Sequence, residues 1–306
     1  VSFHRLDSVV AAEAWCAARR DEGKSVGFVP TMGALHDGHI TLVERSVREC
    51  DVTVVSVFVN PLQFDDPSDL ERYPRDEDAD ARALEEAGCD LMFTGTLQEF
   101  FPGSLDEQGS IEPGVLISPG PAAEGLEGAS RSGHFTGVAT IVHRLFEVVN
   151  PSRAYFGRKD YQQSLIVREV AARRGGPQIT VCPTVRTEAG LARSSRNERL
   201  SQAEQEDALA LSSALASCDA LWRAGERDAE ALARALASAL ESAPGVRLDY
   251  AAVRDAERWT GADPAGPMES CVALVAAQVG PVRLIDNLVL GEGDVCEIAT
   301  RAGSRT

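Results

Sequence analysis

Apolar residues recur through the first two thirds of the chain in short runs separated by stretches of helical spacing. Asp7 or Ser8 stands where a cap is needed for a helix running to about Arg20. A short strand is predicted over 26–29, stopped by Pro30, and Ile40, Leu42, Val43 and Val47 give helical spacing over 38–50. The near-continuous apolar run over 52–59 suits a strand buried on both faces. A helix over 76–87 and a strand over 91–93 follow. Gly and Pro make 102–133 mostly loop, with one strand expected over 115–117. The series continues with a helix over 138–149, a strand over 154–156, a helix over 162–174 and a strand over 179–182. Strands alternating with helices predict a parallel sheet with crossover helices, an α/β domain.

The last third reads differently. Two Ala- and Leu-rich helices are expected over 201–223 and 228–241, the first with Ser201 as N-cap and Glu204 completing a capping box. Three strand-like runs, 246–253, 272–279 and 282–290, come after them. Grouped helices followed by grouped strands predict a smaller α+β domain. The boundary is expected near 184–188, giving domains over 1–185 and 186–306.

Composition agrees with two domains: 306 residues, 44% of them apolar and 25% charged, are enough for sizeable cores and exclude a disordered or fibrous chain. No apolar run reaches transmembrane length, and the first residues lack the order of a signal peptide, so the expected location is cytoplasmic with no membrane partner. The net charge of −17 opposes the positive field a polynucleotide partner needs, so no nucleic-acid partner is expected. Seven scattered cysteines (Cys16, Cys50, Cys89, Cys182, Cys218, Cys271 and Cys296) include no CxxC pair, which argues against both a disulfide framework and a zinc site. Buried free thiols are expected instead.

The chemistry gathers after predicted strands, where open parallel sheets bind ligands. Residues 30–39, PTMGALHDGH, lead from a strand into a helix. His36 and His39 are three apart, which places both rings on one face of the first turn. Gly33 and Gly38 allow close backbone approach, and a helix start favours phosphate. An ordinary loop and a metal-binding pair compete with that reading, but two of only five histidines fall here, which favours a phosphate site without metal. Gly23-Lys24-Ser25 lacks the first glycine of a phosphate loop and precedes its strand, and there is no GxGxxG. Asn60 and Gln63, beyond the longest apolar strand, offer amides suited to hydroxyl and carboxylate oxygens; a structural turn is the competing reading. In residues 157–163, Lys159 is one of only two lysines and suits phosphate, Asp160 suits a ribose hydroxyl, and Gln162 and Gln163 add amides; a solvated helix start is the alternative. Arg193-Ser194-Ser195-Arg196 has the make-up of a phosphate clamp, though such loops are common on surfaces.

Taken together, PTMGALHDGH, SVFVNPLQF, RYPRDEDAD, LEGASRSGHFTGVATIV, FGRKDYQQ and GLARSSRN occur in the order and spacing of the pantothenate synthetases, pantoate–β-alanine ligases of the nucleotidyltransferase superfamily, and the chain resembles that family from about residue 26 to 200. Leu284-Ile285-Asp286-Asn287 also fits. Class I aminoacyl-tRNA synthetases share the HxxH element, but the acidic charge and lack of a tRNA-binding extension weigh against them. The resemblance implies a Rossmann-like N-terminal domain, a smaller C-terminal lid and a homodimer. It implies that pantoate attacks Mg²⁺-bound ATP to give pantoyl adenylate, which β-alanine then converts to pantothenate and AMP. It assigns Met32, Gly33, Ala34, Leu35, His36, Asp37, Gly38 and His39 to ATP, with His36 and His39 at the phosphates and His39 as proton donor. Gln63 and Gln163 are expected on pantoate, Gln63 also near β-alanine, and Asn60 and His134 close by. Gly157, Arg158, Lys159 and Asp160 would contact nucleotide, with Lys159 on phosphate, and Val185, Arg193, Ser194, Ser195 and Arg196 would complete the ATP site. Arg158 and Arg193 depart from the family's usual Glu and apolar residue. They keep open a related ligase for a different hydroxy acid or amine, beside a nucleotide-binding protein without turnover.

Overall fold

The computed structural model describes residues 2–292 apart from 66, 263 and 265. Its contacts divide the chain into two compact units: Val1–Gly157 with Gln162–Cys182, and Arg158–Tyr161 with Pro183–Thr306.

The first unit holds a six-stranded sheet in the order β1-β4-β3-β2-β5-β6, with every pairing parallel. The strands are β1 (His4–Leu6), β2 (Val26–Thr31), β3 (Val52–Val57), β4 (Leu91–Phe93), β5 (Arg153–Gly157) and β6 (Gln178–Cys182). Helices α1 (Val9–Asp21), α2 (Asp37–Glu49), α3 (Pro67–Glu71), α4 (Glu77–Glu86), α5 (Leu97–Phe100), α6 (Leu126–Ser130), α7 (His134–Val149) and α8 (Tyr161–Arg174) fall between them in sequence. All six residues of β3 are buried, as its unbroken apolar run requires. Ser8 rather than Asp7 caps α1, accepting from the Ala11 N–H. The strand order reverses at β2, which pairs with β3 on one side and β5 on the other. The loop leaving β2 therefore opens at the switch point, where this class of sheet binds ligands.

Three local expectations change. The run over 52–59 pairs only as far as Val57. No strand forms at 115–117: Pro113 starts a 3₁₀ turn, Pro113–Val115, and the Ile117 N–H donates to the Thr140 hydroxyl instead of to a strand. Helix α7 begins at His134, four residues earlier than its apolar spacing suggested.

The second unit contains α9 (Gln202–Arg223), α10 (Ala229–Glu241) and an antiparallel sheet β7-β8-β9, formed by Val246–Asp255, Cys271–Val279 and Val282–Val289. Ser201 and Glu204 form the expected capping box. Leu211, Leu215, Leu232 and Leu236 pack with Val275 and Val279 in its core. The α/β class with a smaller α+β C-terminal part is thus present. The segment 158–161 groups with this second unit although it directly follows β5. Among the described residues Cys16, Cys89, Cys182, Cys218 and Cys271 are buried free thiols and Cys50 is half-buried, while Cys296 lies outside the described residues.

Candidate functional site

In the first unit, the chain turns sharply between β2 and α2. Gly33 has φ +78° and Ala34 φ +50°. A Cβ on Gly33 would lie 2.8 Å from Asp80 Oδ2 and 3.0 Å from Val57 Cγ1, so only glycine fits this turn. Asp80, on α4, is buried, and its carboxylate accepts from the N–H groups of Ala34 at 3.1 Å and Leu35 at 2.8 Å. Burial raises its pKa, while those two hydrogen bonds pull it back down.

The turn delivers His36 as the N-cap of α2. His36 Nδ1 accepts from the Gly38 N–H at 3.1 Å, and His39 Nδ1 accepts from the His36 N–H at 3.4 Å. The rings lie 4.1 Å apart, centroid to centroid. A nitrogen that accepts carries no proton, so each neutral ring holds its hydrogen on Nε2. The N–H of His39 is itself bonded to the His36 carbonyl at 2.8 Å. The first turn thus caps itself through the two rings and its own backbone.

Gln63 ends a 3₁₀ turn, Pro61–Gln63, beyond β3. Asn60, expected beside the acid, is 1% exposed and spends its amide on protein. Its Oδ1 accepts from the Leu62 N–H at 3.2 Å, and its Nδ2 donates to Gln63 Oε1 and the Gly137 carbonyl, both at 3.2 Å. Because Gln63 Oε1 is used as an acceptor, the amide presents Nε2, which lies 2.7 Å from Met32 Sδ. The β2–α2 turn and the amide turn therefore meet. His134 Nδ1 donates to the Gln63 carbonyl at 2.8 Å, and Arg131 donates to the same oxygen at 3.1 Å and to His134 Nε2 at 3.0 Å. A Cβ on Gly137 would sit 2.0 Å from the Leu62 carbonyl oxygen, which explains glycine inside α7.

Gln162 is structural. Its Oε1 accepts from the Glu127 N–H at 3.1 Å, and its Nε2 faces the carbonyls of Ala122, Glu124 and Gly125 at 2.8, 3.3 and 3.2 Å. Gln163 follows it on α8, half-buried. A cavity of about 320 Å³ beyond β2–β4 touches Met32 and Gly33, but Asp7, Asp76, Glu77 and Asp80 line it. That polarity repels a triphosphate.

In the second unit, Lys159 Nζ lies 3.8 Å from Asp160 Oδ1, and Arg158 pairs with Glu292 at 2.7 Å. The extra cation at 158 is thus matched by an acid. Asn287 donates to the carbonyls of Arg158 and Lys159. Val185 accepts from the Arg193 N–H at 2.9 Å, closing a short hairpin in which Arg186 bridges Ala192. Ser194 caps the 3₁₀ turn Ser195–Arg199 by accepting from the Arg196 N–H at 3.3 Å. Residues 193–196 are half-buried.

Sequence reasoning gave no role to Asp80, Arg131, Arg186 or Asn287. Asp80 and Arg131 stood inside quoted motifs, and Asn287 inside LIDN, so position within a matched motif was the available signal. Among the described residues, no group of three or more His, Cys, Asp or Glu side chains is arranged to hold a metal ion.

A sequence model of the pantoate-beta-alanine ligase family matches residues 4–289. The pantothenate synthetase of Rubrobacter xylanophilus is 47% identical over 272 residues, 89% of this chain and 93% of that protein. The crystal structure of pantothenate synthetase from Thermus thermophilus aligns with a TM-score of 0.83 at 41% identity, covering 94% of this chain and 99% of that one. Pantoate-beta-alanine ligase from Francisella tularensis, crystallised with beta-gamma ATP and beta-alanine, aligns with a TM-score of 0.72 at 30% identity over 95% and 99% of the two chains. On this similarity, which spans both units and every motif described above, the chain belongs to the pantoate–β-alanine ligase family.

Proposed function

We propose that this chain condenses pantoate with β-alanine, using ATP and releasing AMP and pyrophosphate. A pantoate carboxylate oxygen bonds to the α-phosphorus as the bond to pyrophosphate breaks. The β-alanine nitrogen then bonds to the acyl carbon as the acyl–AMP bond breaks, and the amine loses a proton. Both steps depend on alignment and on stabilising phosphate charge more than on a protein nucleophile.

The observation that carries the reading is the reciprocal cap of His36 and His39, with Met32 of the same turn against the Gln63 amide. The cap uses Nδ1 of each ring as an acceptor, which supports reading both imidazoles as Nε2–H donors suited to phosphate oxygens. His39 is the assigned proton donor. Gln63, oriented by Asn60, offers an N–H to the acid without imposing charge, and Gln163 is its expected companion. In the second unit Lys159, Ser194, Ser195 and Arg196 are assigned to nucleotide. A magnesium ion would accompany the nucleotide; among the described residues no group of three or more His, Cys, Asp or Glu is arranged to hold it, which fits a site made largely by phosphate oxygens and water, where it would supply charge neutralisation.

The extent of the family match supports pantoate and β-alanine over a different acid or amine. The same reading makes the enzyme a cytoplasmic homodimer; among the described residues no helix is long and apolar enough to cross a membrane. Pantoate-dependent exchange of labelled pyrophosphate into ATP tests the first step, and AMP release on adding β-alanine tests the second. Folded protein that does neither with Mg²⁺ present refutes the proposal. Light scattering at the mass of a single chain would refute the dimer alone.

A further inference from the structure

Inside the second unit lies a polar pair to which the ligase chemistry gives no role. Asp286 and Asn287, adjacent on β9, are 4% and 3% exposed. Asp286 holds the buried Arg186 guanidinium through two bonds, at 2.6 and 2.9 Å. Arg186 also donates to the Gly190 carbonyl at 3.1 Å, which locks the hairpin from which residues 193–196 emerge. Asp286 Oδ1 accepts the Asn287 N–H at 2.8 Å. Asn287 Nδ2 then donates to the Arg158 carbonyl at 2.9 Å and the Lys159 carbonyl at 2.8 Å.

Those two carbonyls belong to the peptide planes on either side of the Lys159 α-carbon. A planar peptide leaves only φ and ψ free at that residue, so tying down the carbonyl on each side restrains both angles. Lysine carries its charge at the end of a flexible four-carbon stem, and the backbone at its root decides which volume the ammonium can reach. One buried amide therefore sets the origin and direction of the Lys159 side chain. The Arg186–Asp286 pair holds the backbone of Asn287, through its N–H, and the hairpin that leads to the serine segment.

We propose that Asn287 is a positioning residue that aligns Lys159 for the nucleotide's phosphates. This rests on the reading that Lys159 meets those phosphates. The test is a double-mutant cycle of Asn287→Ala and Lys159→Ala. Two readouts are used: pantoate-dependent pyrophosphate exchange, with kcat and KM for ATP and for pantoate, and calorimetric ATP binding. Asn287→Ala should lower kcat/KM for ATP about tenfold or more, as expected when a charge is misplaced by about an ångström. The KM for pantoate should stay within about twofold, a split that general loosening of the fold would not give. In the Lys159→Ala background the same substitution should add less than about a further twofold. A silent Asn287→Ala, or effects that multiply in full, overturns the proposal. So does a silent Lys159→Ala in an active enzyme, which leaves the ligase reading standing. If the wild type binds ATP but shows no exchange, the ligase reading falls and the calorimetric cycle still decides the role of Asn287. Should Asn287→Ala fail to fold, Asn287→Leu, which removes the donor at nearly the same volume, enters the same cycle with the same outcomes.

Discussion

Replacing Asp80 with alanine removes the side chain that holds the turn between β2 and α2. It would strand the N–H groups of Ala34 and Leu35, which Asp80 now accepts at 3.1 and 2.8 Å, where Gly33 and Ala34 both have positive φ. Each stranded donor costs roughly 1–3 kcal/mol. The carboxylate's own burial cost, visible in its raised pKa, offsets part of this. The net expectation is a loss of about 2–4 kcal/mol, lowering the melting midpoint by roughly 4–16 °C. Because the turn also delivers Met32 and His36, pyrophosphate exchange by the folded variant should fall about a hundredfold. Asp80→Asn supplies the pH test. The raised pKa in the fold means that Asp80 contributes most to stability below the ordinary aspartate pKa, and loses that contribution as pH rises through the folded value. The stability advantage of the wild type over Asp80→Asn should therefore be larger in acid and shrink toward neutrality. Scanning calorimetry across pH, together with the exchange assay, checks both. An unchanged midpoint and exchange rate in Asp80→Ala, or an advantage that grows with pH, refutes the reasoning.

His39→Ala should cut turnover by roughly two orders of magnitude while ATP affinity changes far less; near-normal turnover in the exchange assay would remove His39 as the donor. Asp286→Ala leaves the Arg186 guanidinium buried without its acid and should cost about 3–5 kcal/mol in urea unfolding. A change below about 1 kcal/mol would mean that water or another group takes its place. Gly137→Ala places a methyl 2.0 Å from the Leu62 carbonyl oxygen, so the 61–63 turn must move. We expect about 1–3 kcal/mol lost and a raised KM for pantoate, and kinetics identical to wild type would show that Gln63 is held by other means.

Legibility differed with the range of the interactions. The buried run of β3 and the i, i+3 histidines are local patterns, and both were readable. β1 was not: only three residues long, with two exposed, it is a strand because it pairs with β4. The apolar residues at 115–117 misled because Pro113 and Gly114 turn the backbone just before them. Helix α7 reaches back to His134 through Gly137, a poor helix former retained for its close approach to Leu62. Asp80 was hidden within an acidic run that looks like a solvated helix start; only tertiary folding brings it to residues 45 and 46 positions away. Asn287 lies still further from the segment it holds, and no periodicity could pair them.

Gln162 has a consequence for how the long irregular passage before α7 meets a protease. Its amide grips four backbone groups between Ala122 and Glu127, so that half of the passage must break several bonds at once before it can fit an extended cleavage cleft. Residues 106–110 and 112–114 are exposed and receive no such grip from Gln162. Limited digestion with a glutamate-specific protease should nick the chain at Glu107 well before Glu124 or Glu127. Gln162→Ala should erase that order of cutting.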